Sequence, residues 1–479
     1  MARRRLGKSL AYLSMQVPTG CEIAALRSYE VDSLPTVGGG SESFWRTNLH
    51  ELDDYRSTEF LEESDIVIIG AGYAGVATAY HLLEAGSKAS SITLLEARGA
   101  CSGATGRNGG HLRPDLYGHI PTYIDRHGLK AGAEIAEFEA AHIKAIKDVV
   151  AKENIDCDYV ITRTTDVWCN QDAADKVKAT YDKMVAYGLR HMDDVHFVMG
   201  KDAEGVSGIK NAKACATYTA GTIWPYKFIM TLLGILKDRG VNIQTHTPVN
   251  SISASSEGEW TVSTSRGDIK TSKVVHATNA YTKALLPEYE KNIVPCKGIC
   301  CHIAVPKEDI APFVGNSYII REQGDPSVLS YLIPRSDGGI IVGGSQAIFK
   351  PHLEQWYNNS DDAELIEASK DYYTNYMQNN FRGWENTKAE VQKIWTGVMG
   401  YSYDSNPHIG EVPGKSGQYI LSAFNGHGMP VIWLAAKGVA EMLHSGKSFE
   451  DTEVPKAFKT TQERIDRAKT GPEGGDILA

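Results

Sequence analysis

The stretch Ile66-Val67-Ile68-Ile69-Gly70-Ala71-Gly72-Tyr73-Ala74-Gly75 decides the fold. Four β-branched residues in a row suit a strand buried on both faces. They run into a Gly-x-Gly-x-x-Gly. Residues 76–85 then carry apolar side chains at helical spacing, and Gly86 stops them as a C-cap. A second apolar run, Ile92-Thr93-Leu94-Leu95, ends at Glu96, 21 residues after Gly75. Each residue type has a physical reason. Gly70 permits the tight turn, Gly72 lets backbone approach a pyrophosphate, and Gly75 lets helix and strand pack closely. Tyr73 and Ala74 open the helix, whose N-terminus offers free N–H groups and a positive dipole to phosphates. A carboxylate at Glu96 accepts hydrogen bonds from ribose hydroxyls. Strand, turn, helix, strand and acid in this order make a dinucleotide-binding βαβ unit.

The composition agrees with a folded enzyme. Of 479 residues, 42% are hydrophobic and 23% charged, which excludes disordered and collagenous classes. A net charge of −10 argues against nucleic acid as a partner. No apolar run is long enough to span a membrane. No His-Glu-x-x-His or zinc-spaced Cys/His set occurs, so no metal is expected. The eight cysteines form no Cys-x-x-Cys and read as free thiols in a reducing compartment. A cytoplasmic location follows. The alternative is a mitochondrial presequence, because Arg3, Arg4, Arg5, Lys8 and Arg27 face one early acid, Glu22. Gly38-Gly39-Gly40 reads as a flexible join.

Glu96 alone suits NAD or FAD. The segment after it separates them. Ala97 and Arg98 lead into Gly99-Ala100-Cys101-Ser102-Gly103-Ala104-Thr105-Gly106-Arg107-Asn108-Gly109-Gly110-His111. Nine of the 46 glycines fall in residues 70–110, where an even spread places about four. A nicotinamide dehydrogenase has no need of such a loop, whereas a flavin enzyme must pass backbone close to the ribityl chain and ring. No second Gly-x-Gly-x-x-Gly or P-loop appears, so the flavin is expected to be reduced by the substrate itself.

From about residue 60 onward the chain resembles the D-amino-acid oxidase (DAO) superfamily of flavoproteins. "ATGRNGGH" at 104–111 is most similar to its γ-glutamylputrescine oxidoreductase-like branch. Further likeness lies in Gly221-Thr222-Ile223-Trp224-Pro225, Val249, and Ala277-Thr278-Asn279-Ala280-Tyr281. It continues in Trp395-Thr396-Gly397, Asp404, Pro407, Gly410 and Gly426-His427-Gly428-Met429. The resemblance implies non-covalent FAD. Its contacts would come from Gly70, Gly72, Tyr73, Ala74, Gly75, Glu96, Ala97, Arg98, Gly103, Ala104, Thr105, Arg107, Asn108, Gly109, Gly110, His111, Val249, Thr278, Asn279, Gly397, Gly426, His427, Gly428 and Met429. A helix beginning near Gly428 would face the flavin N1/O2 side with its positive end.

For the substrate, the resemblance implies a pocket of Tyr331, Gln346, His111, Trp224 and Met399. Met399 stands where glycine-oxidase-like members carry a carboxylate-binding arginine. That departure favours an amine without an α-carboxylate. Arg321 and Arg335 could substitute for that arginine but read first as solvated hairpin charges, and Asp361-Asp362-Ala363-Glu364 reads as a helix N-terminus. The implied activity is FAD-dependent amine oxidation: hydride transfer from a CH–NH or CH–NH2 donor to flavin N5, imine hydrolysis, and reoxidation by O2 with release of H2O2. The alternatives are an amino-acid oxidase, a dehydrogenase using another acceptor, and a flavin-binding protein without turnover. The sequence leaves the oligomeric state open.

The fold class expected is α/β (α+β), a Rossmann-type FAD-binding domain interleaved with an antiparallel-sheet substrate domain. The segments are an N-terminal extension (1–60), FAD-binding parts at 61–155, 211–294 and 393–450, substrate-domain parts at 156–210 and 295–392, and a C-terminal tail (451–479). One helix is expected over 124–154.

Overall fold

The computed structural model describes residue 35 and residues 40–256 and 258–479. The basic N-terminus, Cys21, Gly38 and Gly39 lie outside the described residues. The deciding stretch forms the strand Ile66–Ile69, buried along its length, followed by the helix Tyr73–Glu84. This strand sits inside a six-stranded sheet. The spatial order is His408–Glu411, Gln418–Ser422, Lys273–His276, Ile66–Ile69, Ile92–Leu95, Asn242–Gln244. All pairings are parallel except the one at the His408–Glu411 edge. Central parallel strands are covered on both faces, which is why Ile66–Ile69 reads as one continuous apolar run. The helices Tyr73–Glu84, Pro225–Asp238, Leu129–Lys152 and Ile432–Ser445 contribute to one large core with this sheet. A three-stranded antiparallel sheet, Val249–Ser256, Glu259–Thr264 and Gly267–Thr271, packs beside it.

A nine-stranded sheet forms the other layer. It draws on two separate stretches of chain, 111–222 and 293–402. Its rows can be followed through the register. Asp166 lies beside Ile319, Ile319 beside Tyr331, Tyr331 beside Gly343, Gly343 beside Cys300, and Cys300 beside Trp395. One face of this sheet therefore carries Asp166, Tyr331, Cys300 and Trp395. The mixed α/β fold with a Rossmann-type layer matches the expected class.

The segmentation differs in several places, and each difference has a tertiary cause. His111–Leu112 and the strand Glu390–Ser402 pair within the nine-stranded sheet, so residues 111–112 and 393–402 leave the expected FAD-binding parts. Ala214–Thr222 belongs to the nine-stranded sheet, because Thr222 pairs with both His111 and Val160. The expected extension joins the fold from residue 41, since Trp45 is 0% exposed and Ser43 and Asp53 are buried. The expected tail is packed too: Arg464 makes two hydrogen bonds to Asp404 (2.7 and 2.8 Å) and burial covers Phe458 and Ile465. We propose the interleaved two-domain boundaries with those shifts. The helix expected over 124–154 is two helices, Ile120–His127 and Leu129–Lys152, because Gly128 takes φ +87° and ends the first.

Buried histidines set a pH dependence, His142 and His276 among them. The His142 Nδ1–H donates to the Phe138 carbonyl (2.8 Å), and Nε2 accepts the Leu434 N–H (3.1 Å) at the start of Ile432–Ser445. His276 lies 2.8 Å from Gln418 Oε1 through Nε2. Burial lowers each to about 4 from an ordinary value of 6.5. The folded value is the lower one, so stability is complete above pH 6.5 and falls as pH drops from 6.5 toward 4. Between pH 7 and pH 5 the expected loss is about 2 kcal/mol per histidine. Denaturant titrations of the apoprotein at the two pH values measure it. Equal stability at both would contradict the two burial-lowered values.

Candidate functional site

The site is built where the two layers meet, around the end of Ile66–Ile69. Gly70 has φ +111°, and a Cβ there would lie 2.5 Å from the Ala277 carbonyl oxygen. Both oxygens of Glu96 turn back to the turn itself, accepting from the Ala71 N–H and the Arg98 N–H (2.9 Å each). Ala97 sits between them in sequence and is half-buried. Thr105 Oγ1 accepts the Tyr73 N–H at 2.9 Å. Among the described residues the Ala74 and Gly75 N–H groups in the same first turn have no acceptor, and Gly72 adds no side-chain cap. Free N–H groups at a helix N-terminus are an anion site. A Cβ on Gly72 would meet only Thr105 Oγ1 (3.2 Å), and one on Gly103 nothing nearer than 3.8 Å. The protein thus leaves open the two glycines where a pyrophosphate needs backbone approach. These residues fit FAD. The Thr247 N–H donates to the Glu96 carbonyl (2.8 Å), placing the buried Val249 close beyond the acid.

Other glycines of the loop have a different reason. Cβ atoms on Gly106 and Gly110 would lie 3.0 Å from Arg46 Cδ and 3.1 Å from the Trp45 ring. One on Gly109 would lie 2.5 Å from the Tyr331 ring, and one on Gly397 3.0 Å from Arg107 Cβ. Packing by the chain itself therefore requires part of the local glycine excess. Arg107 is buried. It donates to the Ser41 and Thr396 carbonyls (2.8 and 2.9 Å) and lies 3.3 Å from Asp362. Arg98 donates to both Asp362 oxygens (3.1 and 3.0 Å). Asp362, expected at a helix start, is 1% exposed and in no helix. It ties the loop to the second layer. Sequence proximity showed only a charge run, because its two arginines are more than 250 residues away.

On the sheet face opposite, the Tyr331 hydroxyl lies 2.9 Å from Cys300 Sγ, and burial holds the phenol well above its ordinary value. His111 Nε2 lies 2.7 Å from Ser317 Oγ. Burial, reinforced by Arg113, pushes the His111 imidazole down, so it is neutral near pH 7. His427 Nε2 lies 2.8 Å from the buried Glu139, which also accepts the Asp115 N–H. A neighbouring cluster places Asp166 against Arg113 (2.7 Å), Tyr117 and Tyr218. Met399 lies over Gly298 and Gly426: a Cβ on Gly298 would be 2.7 Å from its methyl, and one on Gly426 3.3 Å from its sulfur. Asn108 Nδ2 donates to the Ala104 and Thr105 carbonyls and approaches Met429 Sδ at 3.7 Å. Cys101 is buried, and that burial raises its thiol far above the usual range.

Several expected site residues are placed differently. Gln346 is exposed, because Gly344 (φ +106°) and Ser345 (φ +61°) turn the chain away from the sheet directly after Tyr331's partner strand. Tyr73 buries its ring against Phe228, so only its backbone faces the site. The Thr278 hydroxyl pairs with Thr282. Asn279 Oδ1 accepts the Ala423 N–H (3.1 Å), so it braces the closing segment. The helix after Gly428 starts at Ile432, since Pro430 restrains Met429 from helical backbone. Trp224 donates from Nε1 to the Trp45 carbonyl (2.9 Å) within an aromatic group that includes Phe44. Arg335 is no solvated charge. Its guanidinium lies 4.4–5.1 Å from the Trp224, Phe44 and Trp45 ring centres and 3.3 Å from Asp158. The sequence reading missed Trp45, Asp362, Cys300, Glu139 and the Arg113–Asp166 pair. All depend on contacts distant in sequence, and only the Trp45 aromatic carries a local signal. Among the described residues no group of His, Cys, Asp and Glu could hold a metal, and no helix is long and apolar enough to cross a membrane.

Comparison with known proteins agrees with this geometry. Residues 65–442 match the family model DAO, described as FAD dependent oxidoreductase. Gamma-glutamylputrescine oxidoreductase of Escherichia coli is 24% identical over 398 residues, covering 81% of this chain and 86% of that protein. The structure of L-proline dehydrogenase from P. horikoshii superposes with a TM-score of 0.65 at 21% identity, covering 81% of this chain and 95% of that one. Glycine oxidase from Geobacillus kaustophilus gives 0.66 at 17% identity, covering 84% and 99%. The match spans the dinucleotide turn, both glycine-rich segments and the sheet that faces them, and by it the chain belongs to the DAO family of FAD-dependent oxidoreductases.

Proposed function

We propose that this enzyme oxidises the C–N bond of an amine that lacks an α-carboxylate, with dioxygen as acceptor. One observation carries the reading: three guanidinium groups around the Tyr331 face are already committed to carboxylates, and Arg321, on the same face, lies over the Trp168 ring (4.9 Å). Arg113 is paired with Asp166, Arg107 with Asp362, and Arg335 with Asp158. Met399, not an arginine, lies at the closing segment. A substrate carboxylate placed beside Met399 would therefore be desolvated without a bidentate partner. The named activities of similar proteins, γ-glutamylputrescine oxidoreductase, glycine oxidase and L-proline dehydrogenase, favour a nitrogen-bearing donor.

When bound without a covalent link, FAD supplies the two-electron acceptor for the donor C–H. The chain's own work is binding and orientation. Tyr331 and Met399 bound the apolar approach to the substrate carbon, and neutral His111 adds no positive charge to repel a cationic amine. The closing segment from Gly426 to Met429 adjoins Met399. In balance, amine, water and O2 give the carbonyl compound, the released amine or ammonia, and H2O2.

The test is anaerobic bleaching of the bound flavin by a panel of diamines, N-acylated diamines, secondary amines and α-amino acids. Carboxylate-free amines should bleach it fastest, and H2O2 should form when air is admitted. Faster bleaching by α-amino acids would overturn the substrate class, and bleaching without H2O2 would overturn dioxygen as acceptor.

A further inference from the structure

Residues 41–46 lie upstream of the family match at 65–442, yet they bind the flavin loop at four points. The Arg46 guanidinium donates to the Ala100 carbonyl (2.8 Å), and the Ser43 hydroxyl to the Gly106 carbonyl (2.7 Å). Trp45 Nε1 donates to the Asn108 carbonyl. In return, the Ser41 carbonyl accepts from Arg107 (2.8 Å). The segment is itself held at both ends. The Ser41 N–H donates to the Asp362 carbonyl (2.7 Å), and Arg46 pairs with Asp53 (2.8 Å).

We infer that residues 41–46 form a strap that sets the backbone of the flavin loop, with Trp45 as the positioning residue that presents the Gly109 amide to FAD. In a trans peptide the C=O and the following N–H point to opposite sides. Trp45 holds the Asn108 carbonyl on the strap side, so the Gly109 N–H is directed to the other side. The neighbouring Gly110 N–H is already used, donating to Asn108 Oδ1 at 2.7 Å. Among the described residues the Gly109 N–H has no acceptor. Gly109 also lies against the Tyr331 ring, so its amide is offered beside the face assigned to the reaction. The strap thus converts a flexible glycine run into a preset donor, reducing what cofactor binding must order.

Trp45→Phe keeps one six-membered aromatic ring and removes the five-membered ring with its Nε1–H. The expected result is an FAD dissociation constant raised about tenfold, the loss of one buried hydrogen bond's worth of preorganisation. The flavin absorption maxima should shift, and the apoprotein should melt as wild type does. Ser43→Ala, which holds Gly106 rather than Asn108, should weaken FAD binding without shifting the spectrum. Wild-type affinity and spectrum in Trp45→Phe overturn the strap. If the Trp45→Phe apoprotein melts early, Ser43→Ala decides: wild-type affinity there overturns it and weakened affinity at an unchanged melting temperature supports it. A wild-type chain that takes up no FAD would instead overturn the cofactor assignment, on which this inference rests.

Discussion

Gly75→Ala is expected to yield little folded protein, whereas Gly72→Val is expected to fold and take up no FAD. The two glycines are three residues apart in one motif, and the structure separates their roles. A Cβ on Gly75 would fall well inside van der Waals contact of the Gly70 carbonyl oxygen, with Ile68 Cγ2 at 3.3 Å. The obstacle is backbone on one side and a buried strand residue on the other, so neither can yield cheaply. Forcing them apart costs at the upper end of the overpacking range, about 3 kcal/mol or more. That is a large share of the roughly 5–15 kcal/mol that holds a folded protein together. Gly72 has extended backbone (φ −88°, ψ −168°) that valine adopts readily. Its only near neighbour is the Thr105 hydroxyl at 3.2 Å, which can shift by a few tenths of an ångström. A branched side chain there fills the approach needed by a pyrophosphate while leaving the apoprotein intact. Soluble yield and melting of the apoproteins, with flavin absorbance after reconstitution, measure both. Full flavin absorbance in Gly72→Val would contradict the dinucleotide assignment.

Asp362→Asn is expected to destabilise the protein by about 3–5 kcal/mol, the range for breaking a buried ion pair by removing one partner. Asn keeps the shape and loses the charge. Arg98 and Arg107 are then left buried against each other without their shared anion. Their side chains are 12% and 6% exposed, so water can repair little of the loss. The effect should exceed that of removing an exposed pair such as Lys144–Asp148, which is worth at most about 1 kcal/mol. Urea unfolding of the apoproteins compares them. Because Asp362 joins the flavin loop to the second layer, the variant should also bind FAD more weakly. A loss no larger than that of Asp148→Asn would show that the clamp contributes only as a surface pair does.

The first of these cases marks where sequence reading succeeds, the second where it fails. The βαβ unit was legible because every signal in it is local. The apolar run, the three glycines, the helical spacing and the acid all lie within residues 66–96 and act on neighbours in the chain. Gly70, Gly72 and Gly75 could be given separate roles because turn geometry constrains them at short range. The hairpin through Tyr331 was legible for the same reason, since Asp337-Gly338 marks its turn and Gly338 takes φ +83°. Gln346 was not, because Gly344 at the strand's end (φ +106°) and Ser345 (φ +61°) redirect the chain, and a serine carries no signal for left-handed backbone.

What the sequence by itself determined is the cofactor-binding architecture: a Rossmann-type turn, a flavin loop after its acid, and a closing segment near residue 426. What only the tertiary structure decided is which charges are spent and which are available. Arg335, Arg113 and Asp362 look like ordinary polar residues in one dimension. Folding places each beside a partner far along the chain and removes both from water, where pairing matters far more than at a surface. Residues 41–46 changed meaning in the same way. A short segment with no local periodicity becomes part of the flavin site because its donors meet three loop carbonyls that the chain brings to it from 54 to 63 residues away.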